Sequence, residues 1–163
     1  MTSSRFSVVD LAPTDTHGLR RAVLRNGDPA AIVTWPGDDV PGVFHLGVRD
    51  ASGTVVATSS WMPRQHPDLD RDADPETGPP RSIQLRGMAT ATAVQGSGVG
   101  GLLLEAGIAR CTDLGFDLLF ARARDAALAF YARHGCEVVG DGFVDETTQL
   151  PHHLVVRRLR AGG

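Results

Sequence analysis

Apolar and polar positions change period several times along this chain, and each change marks an element. Phe6-Ser7-Val8-Val9 alternates as a half-buried strand does. Thr14-Asp15 offers capping oxygens for a helix running to about Arg25, with Leu19, Val23 and Leu24 on one side. Two strand-like runs follow, Val43–Arg49 and Thr54–Trp61, joined by Asp50-Ala51-Ser52-Gly53, whose Asp and Gly suit a hairpin turn. Residues 63–81 hold five prolines and five acids with almost no apolar side chains, and predict a flexible, partly disordered surface loop. Ile83–Ala89 predicts a strand. Gly98–Leu114 predicts a helix, with Val99, Leu102, Leu103, Ala106 and Ala109 near helical spacing and Gly115 at its end. Leu118–Ala123 predicts a buried strand, Asp125–His134 a short helix closed by Gly135, and Glu137-Val138-Val139 another strand. After a polar turn at Asp145–Gln149, a last strand is predicted over His153–Leu159. The order βαββ, loop, βαβαββ predicts an α+β layered protein without internal repeats.

Length and composition narrow the class. At 163 residues the chain suits one domain spanning 1–163, large enough to bury roughly two-thirds of its unfolded-chain surface. Hydrophobic content of 42% and charged content of 21% are ordinary for a globular protein, and no apolar run approaches the ~20 residues of a membrane span. The start, MTSSRFSVVD, lacks a signal-peptide apolar region, so the expected location is cytoplasmic. The basic residues are all arginine and, apart from Arg157, Arg158 and Arg160, are scattered; with a formal net charge of −3 they give no nucleic-acid footprint. Arginine-only usage with abundant Ala and Asp suggests a bacterial genome of high G+C content. Cys111 and Cys136 have neither disulfide-scaffold nor metal spacing and are expected as buried thiols. The histidines His17, His45, His66, His134 and His153 show no metal-ligand spacing, so no metal is expected.

The candidate chemistry lies in Ile83–Leu104, IQLRGMATATAVQGSGVGGLLL: a strand, a glycine-rich turn and the opening of a helix. At a helix N-terminus the first backbone N–H groups have no intrahelical partner, and the macrodipole adds partial positive charge, so a diphosphate can bind there. A GxxxxGK[ST] phosphate loop is excluded because the chain has no lysine. Gly96, Gly98 and Gly101 formally satisfy GxGxxG. However, that fingerprint needs an acidic residue about 20 positions on, at the end of the next strand, whereas Asp117 precedes the strand at 118–123. The chain left after the turn is too short for a six-strand dinucleotide domain.

Gln95-Gly96-Ser97-Gly98-Val99-Gly100 resembles the [QR]xxGx[GA] acetyl-coenzyme A signature of the GCN5-related N-acetyltransferases (GNAT superfamily). Ala127–Gly135, ALAFYARHG, resembles that family's AxxFYxxxG block. LRGMAT at 85–90 and the tail from Gly142-Phe143 to Leu150-Pro151-His152 are further similar to a bacterial ElaA-like subgroup. The resemblance implies the GNAT fold, a mixed, mostly antiparallel central sheet flanked by helices. It also implies acetyl-CoA as cosubstrate and direct transfer of the acetyl group to a primary amine.

Such a transfer needs a neutral amine, a stabilised oxyanion and a proton for the leaving thiolate. By resemblance, backbone groups of Met88, Ala89 and Thr90 hold the pantetheine arm and polarise the thioester. Gln95, Gly96, Ser97, Gly98, Val99, Gly100 and Gly101 cradle the diphosphate, and Tyr131, the single tyrosine, is the general acid. Many relatives carry a glutamate on the strand before the turn where this chain has Gln84 and Arg86. His152 is therefore the candidate base, because imidazole titrates near neutrality, with a structural histidine as the alternative. Asp145 and Glu146 are candidates for attracting the amine. Arg124 replaces a common asparagine and Cys136 a common phenylalanine. Polyamine, aminoglycoside, amino acid and protein N-terminus all remain open as acceptors. The final strand offers an edge for a homodimer, as many relatives form. Two other readings are a catalytically silent acyl-CoA-binding or sensing module and, more remotely, a small NAD(P)-dependent oxidoreductase.

Overall fold

The computed structural model describes residues 5–66, 75–76 and 78–159. The strands are β1 (Phe6–Leu11), β2 (Phe44–Asp50), β3 (Val55–Pro63), β4 (Ser82–Thr90), β5 (Leu118–Arg124), β6 (Glu137–Val144) and β7 (Pro151–Arg158). The α-helical segments are α1 (His17–Leu19), α2 (Val99–Asp113) and α3 (Leu128–Arg133). The strands form one mixed sheet in the order β1-β2-β3-β4-β5-β7-β6, so the protein is α+β. Residues 67–74 and 77 of the predicted loop lie outside the described residues, as does Arg160. No helix among the described residues is long and apolar enough to cross a membrane.

The chain divides into two compact units. The first comprises Met1–Met62 and Leu85–Gly107. Here β1 pairs antiparallel with β2 from Phe6↔Asp50 to Leu11↔His45, and β2 pairs antiparallel with β3 from Phe44↔Trp61. The hairpin is held by the Asp50 carboxylate, which accepts the backbone N–H of Ser52 (2.9 Å) and of Thr54 (3.0 Å), while Gly53 takes the left-handed φ of +88° that the turn requires. The helical stretch starts earlier than predicted, with Ala12 at the N-cap instead of Thr14-Asp15. Pro13 opens a 3₁₀ turn over Pro13–Thr16, which α1 and a π turn at Arg20–Leu24 continue. Asp15 acts from inside that turn, its carboxylate accepting the Ala12 N–H at 2.9 Å. A proline's fixed φ and missing donor suit the first helical position better than a threonine does.

The buried stripe of α2 also differs from the expectation. Val99, Leu103, Leu104, Gly107, Ile108 and Cys111 are buried, whereas Leu102 and Ala109 are exposed. The stripe centres on Gly107, which a hydrophobicity pattern reads as a gap. A Cβ there would stand 1.9 Å from the ring of the fully buried Trp61, so the helix approaches β3 as closely as only glycine permits. Trp61 donates its indole N–H to Ser59 Oγ at 2.8 Å, and Ser59 Oγ donates to the Leu46 carbonyl at 3.0 Å, which satisfies the polar atoms of this core.

The second unit comprises Pro63–Gln84 and Ile108–Gly163. The start of β4 pairs parallel with β5, from Ser82↔Leu118 to Gln84↔Phe120. β5 pairs antiparallel with β7 from Leu118↔Arg158 to Arg124↔His152, and β6 pairs antiparallel with β7 around an irregularity between Val139 and Phe143. Ile83, Leu118, Leu119 and Phe120 are buried on strands that read as near-continuous apolar runs, as strands covered on both faces do. Both cysteines are buried and free, as expected, and burial pushes the Cys111 thiol up to about 12 despite the nearby Arg110.

Candidate active site

β4 ends at Thr90, a 3₁₀ turn covers Thr92–Val94, and α2 begins at Val99, so residues 95–98 make the strand-to-helix turn. Gly96 and Gly98 adopt φ of +83° and +87°, conformations that cost L side chains energy. A Cβ at either would meet no atom within 4 Å, so sterics within the protein do not exclude a side chain there; backbone conformation alone selects glycine, and the turn faces open space. The first helix-type bond at this end is Leu102 N–H to Gly98 C=O, 3.0 Å. The N–H groups of residues 98–101 precede the first intrahelical acceptor and form the donor end of the dipole. The Gln95 side chain donates to the Thr90 carbonyl at 3.0 Å, tying the turn to the end of β4. Ser97 Oγ donates to the Val94 carbonyl. Ser97 therefore braces the turn. On β4 itself, Ala89 is buried while Met88 and Thr90 are half-exposed. A diphosphate-bearing ligand fits such a cradle: an open, glycine-lined helix start whose side chains are drawn back onto the main chain.

The remaining predicted residues belong to the second unit. Tyr131 lies on α3 and is buried, with Phe130 edge-on at 5.3 Å. Burial, and secondarily Cys136, pushes its phenol well above the ordinary tyrosine value, so it stays protonated at neutral pH. Gly135, at φ +79°, closes the helix as predicted. His152 is buried on β7; its Nδ1 lies 2.9 Å from the Leu150 carbonyl and its ring stacks on Phe143 at 5.9 Å. A carbonyl only accepts, so Nδ1 carries the proton and Nε2 is left as the acceptor of the neutral ring. Asp145 serves the turn: its carboxylate accepts the N–H groups of Thr147 (2.9 Å) and Thr148 (3.0 Å) and faces Arg122 at 3.3 Å. Partial burial opposes ionisation of Asp145, but these donors, Arg122 and His152 outweigh it and lower its pKa. Glu146 is exposed on the same turn. One pair escaped the sequence reading: His153 Nδ1 stands 2.6 Å from Asp125, a contact spanning 28 residues that only the β5/β7 register creates.

Residues 18–136, most of the chain, match the Acetyltransferase (GNAT) family. The chain belongs to this family. It is 25% identical over 151 residues to the uncharacterized N-acetyltransferase YitI of Bacillus subtilis, covering 93% of this chain and 94% of that one. Among solved structures, FeeM, an N-acyl amino acid synthase from uncultured soil microbes, is similar with a TM-score of 0.75 at 13% identity, over 96% of this chain and 92% of that one. Escherichia coli ElaA is similar with a TM-score of 0.61 at 17% identity, over 94% of this chain and 99% of that one. At these identities the two structures show the shared GNAT fold.

The first unit also holds a buried polar cluster that the sequence reading did not anticipate. Arg20 is fully buried. Its guanidinium donates to the Val33 carbonyl (2.8 Å), to both oxygens of Asp38 (2.7 and 3.0 Å) and to Ser60 Oγ (2.9 Å). His45 Nε2 donates to the Asp38 carbonyl at 3.0 Å, so Nδ1 accepts from Ser60 Oγ at 2.7 Å. Burial raises the Asp38 pKa, but Arg20 and the Trp35 N–H more than offset this and hold it below the usual carboxylate range. Arg20 also stands 3.8 Å over the Trp35 ring, with Arg86 at 5.0 Å and Arg25 at 5.9 Å. Trp35 lies against β4 at Gly87, where a Cβ would approach its ring to 2.6 Å and φ is +64°. Nothing in the spacing separates Arg20 from Arg21 or Asp38 from Asp39, so no periodicity could have found this cluster.

Proposed function

We propose that this member of the GNAT family is an acetyl-CoA-dependent N-acetyltransferase that transfers the acetyl group directly to a primary amine. The observation carrying this reading is the open glycine turn at the start of α2: Gly96 and Gly98 in left-handed conformations with open space at both, followed by unpaired helix N–H groups. Gln95 to Gly101 hold the diphosphate, and the main chain of Met88, Ala89 and Thr90 takes the pantetheine arm. Acetyl-CoA supplies an acetyl group activated as a thioester.

The protein contributes donors, proton handling and exclusion of water. Backbone N–H groups of β4 next to the turn offset the negative charge that grows on the carbonyl oxygen during attack. The neutral amine forms the new N–C bond, and the C–S bond breaks. The amine's extra proton leaves to a base, for which the Nε2 lone pair of His152 has the right tautomer. Tyr131 offers its hydroxyl proton to the departing sulfur. Its raised pKa keeps the donor present in every molecule, but also makes full transfer to a thiol of ordinary pKa, ~8.5, uphill. Tyr131 therefore acts chiefly as a hydrogen-bond donor, and the proton taken from the amine ends on the thiol. The roles of Tyr131 and His152 rest on the motifs that carry them.

Isothermal titration calorimetry with acetyl-CoA, with NADH as comparison and Gly98→Glu/Gly100→Glu as the blocked control, tests the reading. Micromolar acetyl-CoA binding that the control abolishes supports it, and an amine panel then separates an enzyme from a silent acyl-CoA sensor. Folded protein that ignores acetyl-CoA overturns it.

A further inference from the structure

Resting on the assignment of His152 as the base, we infer that Asp145 is a positioning residue: through the turn between β6 and β7 and the Leu150 carbonyl, it fixes His152 as the Nδ1–H tautomer. That form alone leaves the Nε2 lone pair open to the amine's proton. The carboxylate serves the base and not the amine.

His152 is 5% exposed, and two contacts hold its ring. Nδ1 lies 2.9 Å from the Leu150 carbonyl, and the ring stacks on Phe143 at 5.9 Å. Nε2 has no protein partner among the described residues. The Leu150 carbonyl is therefore the group that tells the two ring nitrogens apart, because a carbonyl accepts and never donates. It accepts twice, since the Asp145 backbone N–H reaches the same oxygen at 3.0 Å. Pro151 comes next, and a residue before proline is biased to extended backbone, which limits rotation of that carbonyl. With Nδ1–H fixed, Nε2 takes the proton that the amine loses as the N–C bond forms, and the ring becomes imidazolium. With the proton on Nε2 instead, that nitrogen is a donor and cannot act as base.

Asp145 controls where the Leu150 oxygen lies. Its Oδ1 accepts the N–H groups of Thr147 (2.9 Å) and Thr148 (3.0 Å) and the Thr148 hydroxyl (3.3 Å), in the manner of an Asx turn. Its main chain closes the other side: the Asp145 carbonyl accepts the Gln149 N–H at 2.8 Å, and the Asp145 N–H donates to Leu150. Thr148 Oγ1 accepts the Leu150 N–H at 3.3 Å and carries the restraint to the residue that faces His152. Gln149 stands at a left-handed φ of +59°, a conformation costly to a side chain, so the turn must be held by such bonds. Little of the carboxylate is left for a substrate. Oδ1 is shared by three donors, and an ammonium approaching Oδ2 would have to displace Arg122, 3.3 Å away.

The test separates a hydrogen-bonding role from a charge. Asp145→Ala removes the acceptor, whereas Asp145→Asn keeps one oxygen for the Thr147 and Thr148 N–H groups and loses the charge. Long-range proton–nitrogen NMR correlations of labelled protein at about pH 8.5, where imidazole is ordinarily neutral, report which ring nitrogen carries the proton, and His152→Gln identifies the His152 signals. The parent and Asp145→Asn should carry it on Nδ1, and Asp145→Ala should move it partly or wholly to Nε2. Thr148→Val, which removes the hydroxyl linking Asp145 to Leu150, should shift the tautomer the same way and replaces Asp145→Ala if circular dichroism shows that variant unfolded. Turnover is followed as thiol release from acetyl-CoA with spermidine, β-alanine, phenethylamine and a peptide N-terminus as acceptors. Asp145→Ala should lower kcat roughly 10- to 100-fold, as loss of a group that orients a histidine does, with the acceptor KM and the acetyl-CoA Kd held. Asp145→Asn should restore most of that kcat. A parental tautomer in folded Asp145→Ala or Thr148→Val, or a parent protonated on Nε2, would overturn the inference. So would an Asp145→Asn variant as impaired as Asp145→Ala with a raised acceptor KM, since attraction of the amine by charge would then be the role of Asp145. Parental turnover in His152→Gln would instead sink the base assignment, and unaltered protein that ignores acetyl-CoA the acetyltransferase reading, while the spectra still decide what Asp145 holds.

Discussion

Neutralising Asp38 isolates the energetics of the buried Arg20 cluster. Arg20 is fully buried and Asp38 is 5% exposed, with N–O distances of 2.7 and 3.0 Å, so solvent cannot substitute for either partner. Asp38→Asn keeps the volume but leaves a buried guanidinium facing an uncharged amide. Breaking such a pair destabilises by about 3–5 kcal/mol. At roughly 2–4 °C per kcal/mol for a chain of this size, Tm should fall by roughly 6–20 °C. Arg20→Met should lose a similar amount, because it strands the carboxylate on the Trp35 N–H (3.1 Å) and empties the acceptors Val33 C=O and Ser60 Oγ. The double variant Arg20→Met/Asp38→Leu removes both charges and should lose less than the sum, since replacing a whole buried pair by apolar groups is often near neutral. pH adds a second signature. The folded Asp38 pKa lies below its ordinary value, so its stabilisation is fully present above the unfolded value near ~4 and disappears as pH falls through the lower folded value. Asp38→Asn should remove that part of the acid-induced loss, leaving the parts due to Asp50 and Asp145, whose pKa values are also lowered. Urea denaturation followed by circular dichroism at pH 7 and pH 3 measures both effects. An Asp38→Asn variant within ~1 kcal/mol of the parent, as an exposed ion pair would give, refutes the argument.

Gly107→Ala drives a methyl into the Trp61 ring, 1.9 Å away, and should cost about 1–3 kcal/mol or more by overpacking; thermal denaturation checks it, and unchanged Tm would mean that α2 can shift freely. Gly98→Ala meets no atom but must hold φ +87°, so it should lose roughly 1–2 kcal/mol from backbone strain alone, a loss that a clash at the turn would exceed. Tyr131→Phe should lower turnover on the order of 10- to 100-fold, as loss of a hydrogen bond to the departing thiolate does, with acetyl-CoA affinity unchanged by calorimetry; near-parental turnover would make Tyr131 a packing residue. Cys111, its thiol pushed up to about 12 by burial, should resist iodoacetamide at pH 8 until urea unfolds the protein, so rapid labelling of the folded chain would contradict the buried site.

Most strands were legible because they are short, apolar and flanked by turn residues, and the β-hairpin because Asp50 and Gly53 are chemically specific to the turn; β6 was read only to Val139, because Gly140-Asp141-Gly142 breaks its apolar run before it continues to Val144. The glycine turn was legible for the same reason: Gly96 and Gly98 are required by backbone conformation, which a sequence states directly. What misled was side-chain bulk as a proxy for burial. Leu102 is apolar and exposed, whereas Gly107 has no side chain and lies at the tightest contact of the helix. Thr14-Asp15 misled because capping oxygens are cheap to find and proline's geometry outweighed them. The Arg20–Asp38–Ser60–His45 network and the His153–Asp125 pair were invisible, because they join residues 7 to 40 positions apart through strand register and loop packing.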